Sequence, residues 1–112
     1  MANRIIEMLT CGRSGVACRA VCFMVARGNP SEDELRAVRD LIDAPYRNDR
    51  VAANRPLWSI AIAALHIVGA VEYTGNDRMV QDMIVMFQQE GNIDHMRSCA
   101  EYKEIIQEEK RA

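Results

Sequence analysis

Sixteen consecutive residues without a formal charge, Pro56 to Val71 (P-L-W-S-I-A-I-A-A-L-H-I-V-G-A-V), constrain this chain more than any other feature. A segment that apolar must be sheltered by protein or by lipid, because exposing it to water costs free energy in proportion to its area. It falls short of the ~20 residues that a membrane-spanning helix needs. His66, Gly69 and several alanines weaken it further as a span. Amphipathic segments on both sides are suited to cover it, so membrane association is not expected and a buried central helix is.

On a helical wheel the large side chains Leu57, Ile60, Leu65, Ile67, Val68 and Val71, with Trp58 at one edge, occupy most of the circumference. Ser59, His66 and Tyr73 fall at heptad intervals along the remainder, flanked by Ala63 and Ala70. The helix is expected to run from 57 to 73, where Thr74-Gly75-Asn76 forms a turn cluster. The polar line has two readings. Either the three side chains line a small pocket, or they make internal hydrogen bonds, as buried polar groups do.

The flanking segments also read as helices. Ile5, Ile6, Met8 and Leu9 make a short first helix that Cys11-Gly12 ends. Ser14 can cap a second helix running to Arg27, with Gly28-Asn29-Pro30 as its stop. Ser31-Glu32-Asp33-Glu34 is a capping box in which Ser31 and Glu34 exchange hydrogen bonds. The helix it starts carries Leu35, Val38, Leu41 and Ile42 on one face and closes at Ala44-Pro45. Residues 46–55 read as the longest loop. Asn76 or Asp77 caps the next helix, which reaches Glu90 before Gly91-Asn92, and a last polar helix runs from Ile93 to Lys110 with a fraying tail.

No stretch alternates apolar and polar residues long enough to read as a strand. The expected fold is all-α: one domain, 1–112, in which five main helices and a short N-terminal helix pack around helix 57–73. Short connections favour antiparallel neighbours. At 112 residues with 49% apolar content, roughly two-thirds of the unfolded surface is buried on folding, enough for a core without staples. Cys11, Cys18, Cys22 and Cys99 therefore read as reduced, mostly buried thiols of a cytoplasmic protein with no signal peptide.

Chemistry is hard to place on this chain. Cys18 and Cys22 share a helix face, and with Cys11 they are the only metal candidates, but the tight C-x2-C knuckle of a zinc or iron–sulfur site is absent. No nucleophile turn, P-loop or dinucleotide fingerprint occurs. The expectation is a non-enzymatic protein that needs no cofactor.

Net charge is −2 but unevenly spread: residues 1–56 hold nine Arg against seven acids, and residues 57–112 hold five basic groups against nine acids. Such a dipole can orient a partner or a second copy. Arg47, Arg50 and Arg55 in the central loop, with Arg4, Arg13, Arg19 and Arg27 earlier, suggest a nucleic-acid-binding regulator. Against that, aromatic residues for base stacking are missing there apart from Tyr46.

The preferred reading is a regulatory, accessory or self-assembling protein that binds another protein, or itself, through a Met-rich helical surface. Met79, Met83, Met86 and Met96 fall in the last two helices, where Val85 and Ile105 lie on otherwise polar faces. Flexible thioethers suit adaptable interfaces, so Met86, Val85 and Ile105 are the expected contact residues. Small Arg-rich helical chains without enzymatic motifs are common among phage and viral accessory proteins, and this chain is of that type.

Overall fold

The computed structural model describes residues 3–43 and 55–111. Seven helices and no strand occur among the described residues: α1 (Arg4–Leu9), α2 (Ser14–Arg27), α3 (Glu32–Asp43), α4 (Arg55–Ile67), α5 (Arg78–Gln88), α6 (Glu90–Arg97) and α7 (Ala100–Arg111). The radius of gyration is 13.4 Å, close to the ~13 Å of a compact chain of this length. No helix among the described residues is long and apolar enough to cross a membrane.

α4 is the central element. Leu57, Ser59, Ile60, Ala61, Ala63, Ala64 and Leu65 are buried along it, and it packs against α5, α2 and α3. The alanines let neighbouring helices approach closely, while Leu57, Ile60 and Leu65 fill the space between them. Each of those three contributes about 1.5–3 kcal/mol by leaving water.

The helix ends at Ile67, not at Tyr73 as the uncharged run suggests. Gly69 adopts φ +81°. The Ala70 N–H then reaches back to the Leu65 carbonyl at 2.9 Å, and the Gly69 N–H to the His66 carbonyl at 3.1 Å. This pair of bonds closes a helix on a left-handed residue, a conformation glycine adopts without steric cost. One glycine inside an apolar run therefore overrode its hydrophobicity.

α1 and α3 begin as their local sequence dictates. Asn3 Oδ1 accepts from the Ile6 N–H at 3.0 Å. Ser31 Oγ accepts from the Glu34 N–H at 3.1 Å, and Glu34 Oε1 accepts from the Ser31 N–H at 2.8 Å. At α2 the residue in the capping position is Arg13, with Ser14 already inside the helix, and no side chain caps it. Ala44-Pro45 and residues 46–54 lie outside the described residues, so the expected stop of α3 and most of the long loop fall there.

Glu34 does more than cap. It is 1% exposed, yet it is held by both terminal nitrogens of Arg27, Nη1 reaching Oε2 at 2.8 Å and Nη2 reaching Oε1. Asn3 Nδ2 donates to the same carboxylate at 3.1 Å. This network joins the start of α1, the end of α2 and the start of α3. Burial alone would raise the Glu34 pKa, but the Arg27, Ser31 and Asn3 hydrogen bonds outweigh it and hold the carboxyl below its ordinary value.

The expected last helix is two helices. α6 ends at Arg97, and α7 starts at Ala100 after a break at Ser98-Cys99. Likewise α5 ends at Gln88, and Gly91-Asn92, read as a stop, instead occupies the first turn of α6. Asn92 Nδ2 secures that corner by donating to the Met86 carbonyl at 3.1 Å and to Gln89 Oε1 at 2.8 Å. The expected fraying of the tail is not seen: α7 persists to Arg111, with Glu108 and Glu109 tied to Arg4 and Arg27.

Candidate functional surface

α5 is started by Asp77, whose Oδ1 accepts from the N–H groups of Met79 (2.9 Å) and Val80 (3.4 Å). It carries seven apolar side chains, but only Val80 and Phe87 are buried. Met79, Met83, Ile84 and Met86 are half-buried, and Val85 is 52% exposed, standing among Gln81, Asp82, Gln88 and Gln89. Met83, Ile84 and Met86 touch the core with one side while presenting the rest to water. Val71 is the other large apolar side chain exposed among the described residues.

Ile105 does not belong to this surface. It is 1% exposed and packs into the core. In one continuous helix it lies nine residues beyond Met96, about half a revolution away from the apolar line at ~100° per residue. The break at Ser98-Cys99 resets that phase and turns Ile105 inward. The pattern was read correctly for a helix that does not exist.

Ser59, His66 and Tyr73 do not form one open line. Tyr73 lies beyond the end of α4, in a connection that runs over residues 68–77. There its N–H donates to His66 Nδ1 at 3.0 Å, and its Oη accepts from the Asp77 N–H at 2.9 Å. Since His66 Nδ1 is an acceptor, the proton of the neutral ring sits on Nε2. The two side chains clasp the connection to α4 and to the start of α5. The tyrosine lies close over Gly75, where a Cβ would meet Oη at 2.5 Å.

Ser59 is 0% exposed, and its hydroxyl has no hydrogen-bond partner among the described residues. A buried hydroxyl left unpaired costs about 1–3 kcal/mol. Ser59→Ala is therefore expected to raise stability by about 1 kcal/mol or more in a urea titration. Lower stability in the alanine variant would show that the hydroxyl is paired.

The basic residues behind the nucleic-acid reading are largely engaged within the chain. Arg55 Nη2 contacts Asp77 Oδ2 at 2.7 Å, which places the start of α5 beside the start of α4. Residues 68–77 thus lead the chain back along α4, in place of a tight antiparallel turn. Desolvation opposes ionisation of Asp77, but the Arg55 hydrogen bond and the Val80 and Met79 N–H donors keep its carboxyl below the ordinary value. Arg4, Arg19 and Arg27 pair with glutamates of α7. Arg47 and Arg50 lie outside the described residues.

Cys11 is exposed, while Cys18, Cys22 and Cys99 are half-buried. Burial, followed by the neighbouring Cys18, pushes the Cys22 thiol up to about 11, which keeps it protonated and a poor metal ligand at neutral pH. No three His, Cys, Asp or Glu side chains among the described residues come together in a group able to hold a metal ion.

A cavity of about 150 Å³ lies where α1, α2, α3 and α4 meet, lined by Leu9, Gly12, Arg13, Ser14, Ala17, Leu41 and Leu57. That volume is on the scale that accommodates a benzene-sized group. Sequence reading missed it because its walls come from four segments, none of which carries a local signal. Compared with known proteins, the chain matches no family model, no curated protein and no solved structure.

Proposed function

We propose that the protein is a non-enzymatic binding module that engages another protein through the outward face of α5. One observation carries this reading: five of the seven apolar side chains of α5 remain wholly or partly exposed, with Val85 the most accessible. Val85 on the outward side, with Met79, Met83 and Met86 along one margin of the buried Val80–Phe87 stripe, suits a partner that offers its own apolar groove or helix. The methionines can repack against such a partner because their side chains are long and unbranched. Binding would act by occlusion or scaffolding. The pairing of Arg4, Arg19, Arg27 and Arg55 with carboxylates favours this reading over a nucleic-acid regulator.

The contact residues are Val85 and Met86; Ile105, expected beside them, is buried in the core instead. Val85→Asp and Met86→Asp are expected to weaken capture of a partner, or self-association, at least about tenfold, a typical loss for a charge placed at an interface centre. Helicity by circular dichroism should stay at the wild-type level. The measurement is affinity capture from a native-source lysate with nuclease present, alongside sedimentation of the pure protein. Unchanged capture and unchanged mass in both variants would remove α5 as the contact surface. Capture lost only on nuclease treatment would favour the nucleic-acid reading.

A further inference from the structure

α7 is attached unlike the other helices among the described residues. Of its twelve residues only Ile105 is buried, supported by half-buried Ile106 and by Tyr102, whose ring lies 5.8 Å from that of Phe23 on α2. The rest of its docking is ionic and reaches far back along the chain. Arg4 faces Glu108 at 3.1 Å and Glu104 at 3.5 Å, with Glu101 at 4.0 Å. Arg19 donates to Glu101 at 2.9 Å, and Arg27 contacts Glu109 at 3.0 Å. Pairs this open to solvent are individually weak and are screened by salt. The seat of α7 thus combines an apolar contact on α2 at Phe23 with three arginines from α1 and α2, and it holds an acidic amphipathic helix.

The joint that turns α7 onto this seat is small. Ser98 already has helical dihedrals, φ −81° and ψ −10°. Its N–H is shared between the Asp94 and His95 carbonyls, and the Cys99 N–H reaches the Met96 carbonyl in a tightened last turn. Neither glycine nor proline occurs from Ile93 to Arg111, so local sequence favours helix straight through the joint. Straightening it exchanges these shared and tightened bonds, and the Ser98 Oγ bond to the His95 carbonyl at 2.6 Å, for a regular helical ladder that also gives the first N–H groups of α7 intrahelical partners. The product is one continuous helix, with α7 swung off its own seat.

We propose that α7 is a displaceable strap, and that its Arg-rimmed seat accepts the α7 of a second copy when the joint straightens. Charge complementarity selects that occupant: the emptied groove presents Arg4 and Arg19, and an α7 presents Glu101, Glu104 and Glu108. Exchange of one helix between two copies recreates every contact of the closed form, so each copy loses little by opening. The surface involved is separate from Val85 and Met86 on α5.

The test uses two full-length charge-reversed chains that leave the buried Arg27–Glu34 pair intact. One carries Arg4→Glu and Arg19→Glu; the other carries Glu101→Arg, Glu104→Arg and Glu108→Arg. Alone, each should show α7 amides exchanging hydrogen about tenfold faster than wild type, because like charges now face each other across the seat. Mixed in equal amounts, the two should form a complex of doubled mass by light scattering, with α7 protection restored. Independently, in unmodified protein, raising NaCl from about 0.05 M to about 1 M should accelerate exchange in α7 while α2 and α4 keep their protection. Wild-type protection of α7 in both variants and at high salt, or a mixture that stays monomeric with α7 unprotected, overturns the proposal.

Discussion

Glu34→Ala is expected to destabilise the protein by about 3 kcal/mol, because it strips the mostly buried Arg27 guanidinium of its main carboxylate partner and leaves it only Glu109 at 3.0 Å and the Gly28 carbonyl at 3.1 Å. That is a large part of the ~5–15 kcal/mol that holds a domain of this size together. Three helices meet at Glu34, so the loss spreads to the start of α1 through Asn3 and to the cap of α3 through Ser31. Urea denaturation of wild type and variant at pH 7 measures it. Replacing both partners together, as in Glu34→Leu with Arg27→Met, should recover much of the loss, since no uncompensated charge then remains buried. A loss under about 1 kcal/mol in Glu34→Ala would show that the pair is not the tie the geometry implies.

The same carboxylate sets a pH dependence. Its pKa in the folded protein lies below the ordinary value of about 4.5, so the unfolded chain binds the proton more readily. The stabilisation is fully present above that ordinary value and is lost as pH falls below it, through the depressed folded value. Wild type should therefore lose more stability than Glu34→Ala between pH 7 and pH 3, and parallel losses in the two proteins would contradict the assignment.

The second large effect belongs to the centre of the fold. Leu65 is fully buried on α4, and Leu65→Ala is expected to cost about 2–5 kcal/mol through lost transfer energy and the cavity left behind. Ile62, half-buried on the same helix, provides the comparison: Ile62→Ala should cost clearly less. The urea midpoint should fall for Leu65→Ala with little change in slope, the signature of lost stability without a changed unfolded state. Equal costs at the two positions would mean that α4 is not the buried post of the fold.

Much of the local architecture was legible beforehand. The Ser31–Glu34 capping box, a cap at Asn76 or Asp77 (Asp77 in the structure) and the apolar content of α4 all rest on residues within a few positions of one another. Helix caps and helical periodicity are interactions of that short range. The misreadings have local causes as well. The uncharged run points to a helix past Gly69, whereas the glycine takes φ +81° and ends α4. The run from Ile93 to Lys110 has no breaker, so nothing in its composition announced the joint at Ser98-Cys99. A continuous helix there puts Ile105 on the polar face, and the joint turns it into the core.

What the sequence determined by itself was helical identity: an all-helical chain, the Ser31–Glu34 capping box at the start of α3, and the uncharged run at the centre. Tertiary structure alone decided the partners. Asn3 meets Glu34 across 31 positions, and Arg4 meets Glu108 across 104. No periodic pattern encodes which Arg faces which Glu, because any acidic helix satisfies the pattern equally well. The choice follows from how helices of particular length and phase fit around α4, and that fit turned a basic N-terminal half and an acidic C-terminal half toward each other.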